Sequence, residues 1–273
     1  MLSYRHEYHA GNIGDLVKHA TLSLIIDYLK QKPAPIRYID THAGAGLYAT
    51  HSAMAEKTGE YKEGAGSLND TAFPEQLQSW QSVLNHYATQ HQYPGSPLLA
   101  AKMLREQDDL WLYELHSTDF PRLQNLFARD RRVHVAQTDG YASLKGLLPV
   151  KNSRALVLID PSYELQSDYK AVRDCLEEGC SRMPHAVYVI WYPVVGNPLL
   201  ETMIRKITAL ADEKLWRLEL SIESAEAKGM VATGVLVLNP PWTLVPEMEK
   251  AFQAICPQLP FPAAHFTATC LKQ

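Results

Sequence analysis

The sequence predicts an α/β protein built on a doubly wound, mostly parallel sheet. Short apolar runs alternate with helical stretches over most of the chain. An acidic residue stands at or just beyond the end of four of those runs, at Asp40, Glu114, Asp139 and Asp160. A glycine turn, His42-Ala43-Gly44-Ala45-Gly46, follows the first of them. Strand–helix alternation buries a sheet between two helical layers, and right-handed crossovers bring the strand C-termini to one edge, where ligands bind.

From Asp15 to Lys30, apolar residues at Leu16, Val17, Ala20, Leu22, Leu24, Ile25, Ile26 and Leu29 give an amphipathic helix with a broad buried face. The following Gln-Lys-Pro-Ala-Pro stops it, and Ile36–Asp40 is a short buried strand. Residues 47–93 carry no strand signal: small, polar and glycine residues fill Thr58 to Asp70, and a helix runs from Pro74 to about His91. This segment reads as a small helical insertion within one domain spanning residues 1–273. Tyr93-Pro94-Gly95-Ser96-Pro97 closes it, with Ser96 and Pro97 as cap and first-turn proline of a helix from Leu98 to Arg105. Strands follow at Leu110–Glu114, Val133–Ala136, Ala155–Asp160 and Ala186–Trp191. The helices between and after them are Pro121–Ala128, Tyr141–Leu148, Asp168–Met183 and Pro198–Ala211. Trp216–Ile222 and Thr233–Leu238, joined by the polar loop Glu223–Met230, pair as an antiparallel hairpin and complete a seven-stranded sheet.

A hydrophobic fraction of 46% with 21% charged residues argues for a folded domain. The longest apolar runs, such as Ala155–Ile159, are too short to span a bilayer, and the N-terminus lacks the apolar core of a secretory signal. A cytoplasmic, membrane-free protein is expected. Cys175, Cys180, Cys256 and Cys270 form no C-x-x-C pair, so they read as reduced thiols. No cysteine or carboxylate completes a ligand set with His6 and His9, so no metal is expected. A net charge of -4 supplies no general cationic body for a nucleic acid. Local clusters, such as Arg129, Arg131 and Arg132, or Lys57 and Lys62 in the insertion with Arg5, leave phosphate contacts open.

Gly44 and Gly46 let a ligand approach the main chain. Gly44 to Ala49 fits the dinucleotide pattern G-x-G-x-x-A, but the acid that pattern needs at the end of the second strand is displaced by the insertion. Asp40 before the turn suits a cationic ligand instead, and S-adenosylmethionine carries an ammonium and a sulfonium but no phosphate. Glu114 would then take the ribose hydroxyls and Asp139, with Gly140 beside it, the adenine amino group. Asp160-Pro161-Ser162-Tyr163 suits methylation of an exocyclic amine, whose lone pair is delocalised into its ring. The Asp160 carboxylate and the Pro161 carbonyl would accept the amine hydrogens, and Tyr163 would offer a stacking face for a base turned out of its helix. Asn239-Pro240-Pro241-Trp242 resembles the same motif, but it follows a strand running the opposite way and ends at the wrong edge. Lys18 and His19 on the first helix are placed to touch cofactor or base.

The stretches LSYRHEYHAGNIGDLVKH, YIDTHAGAG, TGEYKEG, YPGSPLLA, LYELH, DGY, LIDPSYE and WYPV, in this order, resemble the ribosomal RNA large subunit methyltransferase J family over essentially the whole chain. The resemblance implies a Rossmann-like class I methyltransferase fold, S-adenosylmethionine as cofactor and an adenine N6 of 23S ribosomal RNA as target. It implies that His19, His42, Ser96, Glu114, Asp139, Gly140 and Asp160 line the cofactor and reaction site. It further implies Asp160 as proton acceptor and Tyr4 as a contact to the RNA. The substrate is expected as protein-free RNA or an early assembly intermediate, and the enzyme as a monomer. The family's motif is D-P-P-Y, and Ser162 replaces its second proline. DNA adenine-N6 methylation uses the same four-residue logic and is one alternative; Ser162 motivates another, a non-catalytic protein that binds cofactor or RNA.

Overall fold

A computed structural model describes residues 5–69, 71–212, 214–222 and 230–273. Tyr4 and most of the expected Glu223–Met230 loop lie outside the described residues. Helix α1 (Ile13–Lys30) is followed by strand β1 (Ile36–Asp40). Next come β2 (Leu47–Ala49), α2 (Ala53–Thr58), α3 (Glu60–Glu63), α4 (Gln78–Ala88) and β3 (Gln92–Pro94). The alternating part runs α5 (Ser96–Met103), β4 (Asp109–Tyr113), α6 (Asp119–Leu126), β5 (Val133–Ala136), α7 (Leu144–Leu147), β6 (Arg154–Ile159), α8 (Gln166–Arg182), β7 (Val187–Val194) and α9 (Pro198–Leu210). The chain ends with β8 (Leu215–Ser221), β9 (Ala232–Leu238), α10 (Leu244–Ile255) and β10 (His265–Lys272).

The main sheet has the order β10-β8-β9-β7-β6-β1-β4-β5. β1 pairs in parallel with β4 and β6, and the parallel set extends to β5 and β7. β9 lies antiparallel to both β7 and β8, as the hairpin pattern predicts. Side chains along each strand alternate between two apolar layers. Leu156 and Leu158 of β6 join α1, α5 and α10 on one face, while Ala155, Val157 and Ile159 join α7, α8 and α9 on the other. A strand covered on both faces must be apolar at nearly every position, which β6 is.

Three differences from the sequence reading have physical causes. The sheet has eight strands, not seven, because β10 pairs antiparallel with β8 at the edge. Its residues alternate between exposed and half-buried, so no apolar run marks it. Residues 47–93 do contain strands: β2 and β3 pair antiparallel and close the segment at its two ends. At three residues each they are too short to carry a period. The arginine cluster is partly internal, since Arg132 donates to Asp130 and to the carbonyls of Ala101 and Leu104. In the insertion, exposed Lys57 and Lys62 alternate with exposed Glu56 and Glu63, so no single-sign face forms there.

The apolar residues of the insertion belong to the same core as α1: Leu68, Phe73, Leu77 and Trp80 are all buried in it. Asn239, after β9, sits beside the start of β7 and donates to the carbonyls of Pro184 and Ala186, at the edge away from the other strand ends. Trp242 there is 78% exposed. Among the described residues no helix is long and apolar enough to cross a membrane, and no group of His, Cys, Asp or Glu could hold a metal ion.

Trp80 is fully buried between the insertion and α1. Trp80→Ala is expected to lower unfolding free energy by about 3–5 kcal/mol, read from urea denaturation. A loss below about 1 kcal/mol would mean that the insertion is not part of the common core.

Candidate active site

The C-terminal edge of β1, β4, β5 and β6 opens into a cavity of about 280 Å³. Thr41 to Gly44, Glu114 to His116, Asp139 to Tyr141 and Asp160 to Ser162 form its walls. Gly95 and Ser96 line it from the start of α5, and Trp191 of β7 closes one side. His6 and Asn12, with Asp15 and Lys18 of α1, cover it. Among the described residues, its carboxylates are Asp15, Glu114, Asp119, Asp139, Asp160, Glu164 and Asp168, and its one lysine is Lys18. Such a lining attracts a cation and repels a pyrophosphate, which disfavours a dinucleotide.

Gly44 and Gly140 line the cavity, and Gly46 does not. Gly44 has φ +61, and its N–H donates to the Glu114 carboxylate at 2.8 Å. Glu114 accepts a second backbone N–H, from His116, at 2.6 Å, and burial raises its pKa. A carboxylate has about four acceptor positions, so capacity remains for a ligand. At Gly140 a Cβ would stand 1.9 Å from the Thr41 carbonyl, so only glycine lets the β5 turn meet the β1 turn. Asp139 is exposed and accepts from Tyr141 N at 2.9 Å. His42 keeps contact with the cavity, and the dense protein around it pushes its pKa down to about 3 and leaves it neutral.

Several expected site residues lie behind the walls. Asp40 is fully buried and accepts from Tyr38 Oη at 2.8 Å, Ser96 Oγ at 2.7 Å and His42 N at 3.2 Å. It braces Ser96, which does reach the cavity, and three protein donors occupy it. Gly46, φ +77, faces Leu123 and Leu126 of α6. His19 is fully buried against Tyr93, whose hydroxyl meets its Nδ1 at 2.8 Å, and burial pushes its pKa down to about 3. Tyr163 is turned inward at φ +54, and its hydroxyl donates to the Trp191 carbonyl at 2.7 Å. Trp191 lines the cavity, as do Tyr48 and Tyr141, and its indole N–H is held by Thr233 Oγ1 at 2.9 Å.

Lys18 Nζ donates to Asp160 Oδ2 at 2.6 Å and stands 2.7 Å from Asp15 Oδ1. Its charge is shared by two carboxylates. Burial disfavours the charged lysine, but the two carboxylates outweigh it and raise the pKa. Burial also raises Asp160, and Lys18 opposes it, leaving a value of about 6. Asp160 is thus an ionised carboxylate at neutral pH with higher proton affinity than a solvated aspartate. His6 completes the group, with Nε2 3.2 Å from Asp15 Oδ2. Sequence reasoning passed over Asp15, His6 and Trp191 as site residues. The only local signal was the i, i+3 spacing of Asp15 and Lys18 on one helix face.

A family model described as "Ribosomal RNA large subunit methyltransferase D, RlmJ" matches residues 33–269. The protein named ribosomal RNA large subunit methyltransferase J from Escherichia coli (strain K12) is 44% identical over 255 residues, covering 92% of this chain and 91% of that protein. Its namesake from Haemophilus influenzae is 43% identical over 256 residues, again covering 92% and 91%. A crystal structure of a protein from Legionella pneumophila superposes with a TM-score of 0.89 at 32% identity, covering 96% of this chain and 98% of that one.

Lys18→Met would leave two buried carboxylates facing each other. Unfolding free energy at pH 7 should fall by about 3–5 kcal/mol. Asp160, its folded pKa raised further above the unfolded value, binds more protons folded than unfolded. The variant should therefore regain stability as pH falls from 7 toward 5, read from denaturation at each pH. A loss that stays constant over this window would contradict the shared-charge geometry.

Proposed function

The chain belongs to the RlmJ family of ribosomal RNA large subunit methyltransferases, and we propose that it methylates N6 of one adenine in 23S ribosomal RNA, with Asp160 receiving the amine proton. The observation that carries this reading is Asp160 itself. It is an ionised, partly shared carboxylate followed by Pro161, and both line a cavity rich in negative charge.

S-adenosylmethionine fits this cavity by the chemistry of its donor set: seven carboxylates against one lysine suit a ligand with two positive centres. When bound, it supplies a methyl group on a sulfonium, which leaves as a neutral thioether. Glu114 would hold the ribose hydroxyls and Asp139 the adenine amino group, while Gly44, His42, Ser96 and Gly140 shape the wall around them. Asp160 and the Pro161 carbonyl accept the hydrogens of the target amine, which brings the nitrogen lone pair out of conjugation. The proton then passes to Asp160, whose pKa near 6 suits a general base at neutral pH. Lys18 acts as the counter-charge of that carboxylate. Trp191, beside Lys18, offers the target base an aromatic face from the cavity wall, which Tyr163 does not reach. Tyr4 remains a contact to the RNA on the family resemblance alone. The protein acts as a monomer in the cytoplasm, on protein-free or early-assembly RNA, and residues 47–93 are an insertion within one domain.

Ser162 lines the cavity beside the Asp160-Pro161 unit, which keeps both acceptors. This favours an active enzyme over a silent relative. Labelled methyl groups are expected to enter protein-free 23S ribosomal RNA and not duplex DNA, with Ser162→Pro still active. The rate should fall below about pH 6, as Asp160 takes up a proton. Transfer to DNA instead, or cofactor binding with no transfer at any pH, would overturn the proposal.

A further inference from the structure

Asp15 has no part in the chemistry described above, yet more groups converge on it than on any wall residue. It is the third residue of α1, whose N-cap Asn12 accepts from Gly14 N at 2.8 Å and Asp15 N at 3.2 Å. A carboxylate here is favoured by the positive end of the helix. Its side chain is 1% exposed. It accepts from Gly11 N at 2.7 Å, meets His6 Nε2 at 3.2 Å and pairs with Lys18 Nζ at 2.7 Å. The same Nζ lies 2.6 Å from Asp160 and 5.8 Å from the centre of the Trp191 ring. The ammonium is therefore boxed between two carboxylates and an indole.

A buried lysine and aspartate alone would form a tight one-to-one pair. In such a pair the aspartate holds its charge most firmly, and its lone pairs face the ammonium. A second carboxylate on the same ammonium competes for its N–H donors and adds a like charge near the first. We propose that Asp15 is a positioning residue for methyl transfer: by sharing Lys18, it keeps Asp160 from being locked in a one-to-one pair and leaves that carboxylate able to take the proton of the amine. This rests on the role assigned to Asp160 above. In the step concerned, the amine nitrogen would bond to the methyl carbon as that carbon's bond to sulfur breaks, its pair going to sulfur; an N–H bond then breaks, its electron pair stays on nitrogen, and the proton goes to a carboxylate oxygen of Asp160.

The groups facing Asp160 are Lys18, His6 and Asp15, with the phenols of Tyr38, Tyr141 and Tyr163. Those facing Asp15 are Lys18, His6 and His19, with Tyr48 and Tyr93. Neutralising Asp15 removes one negative neighbour of Asp160 and tightens its pairing with Lys18. Both changes make Asp160 a weaker base.

The test titrates the Asp160 carboxyl by carbon-13 NMR in the full chain and in Asp15→Asn, which keeps an acceptor for Gly11 N–H. The midpoint should fall by about one pH unit. The acid limb of kcat should fall with it, plateau kcat should drop about tenfold, and KM for S-adenosylmethionine should change by less than about twofold. Asp15→Ser serves if the asparagine variant is poorly folded, and Asp15→Glu should bring the midpoint back. An unmoved or rising midpoint overturns the proposal. Absence of methyl transfer by the native chain would instead overturn the role of Asp160, while the titration still decides the role of Asp15.

Discussion

Everything at the site depends on one lysine ammonium that is almost wholly buried at the cavity wall. Lys18 sits on a helix buried on almost all sides, where an unpaired charge would be driven neutral or expelled. It stays because two carboxylates meet it within 2.7 Å. One comes from its own helix and the other from the end of β6, 142 residues away. The contact fixes α1 against the sheet edge at the point where chemistry is to occur. It also gives Asp160 a counter-charge that offsets its burial only in part. Replacing such a group with apolar residues would often be neutral or stabilising, so its retention points to function rather than stability.

A second constraint is closeness. The turns after β1 and β5 touch at Thr41 and Gly140, and no side chain fits between them. The Gly44 amide spans to Glu114, which ties the end of β1 to the end of β4. Three strand ends are thereby locked together through main-chain groups. Carboxylates on rigid strand ends are preorganised, which a loop-borne site would not achieve. On the other wall, the inward turn of Tyr163 anchors the β6 loop to the Trp191 carbonyl and leaves the indole at the cavity. The aromatic of the motif thus packs behind the cavity wall and does not line it.

The central sheet was legible because burial on both faces writes itself as runs such as Ala-Leu-Val-Leu-Ile. The acidic residues after β4, β5 and β6 were legible because strand direction alone places them at the ligand edge. Asp40 stands at an equivalent strand end, but Tyr38, two residues earlier on the same strand, and Ser96 bind it from within. No local pattern tells an acid facing a cavity from one facing its own strand. β10 escaped notice because an edge strand with one half-covered face needs little apolar content. The convergence on Lys18 was hidden for another reason: its partner at 160 is close only after the chain has folded.

The account stands on Asp160 as the group that takes the amine proton. The direct measurement counts N6-methyladenosine by mass spectrometry in protein-free 23S ribosomal RNA treated with the native chain or with Asp160→Asn, alongside calorimetric binding of S-adenosylmethionine to each. Asparagine preserves the shape and one acceptor but cannot receive a proton. One methylated adenine per RNA with the native chain, and a loss of at least about a hundredfold in rate for the variant at nearly unchanged cofactor affinity, is the result predicted. Equal methylation by both proteins would contradict the account.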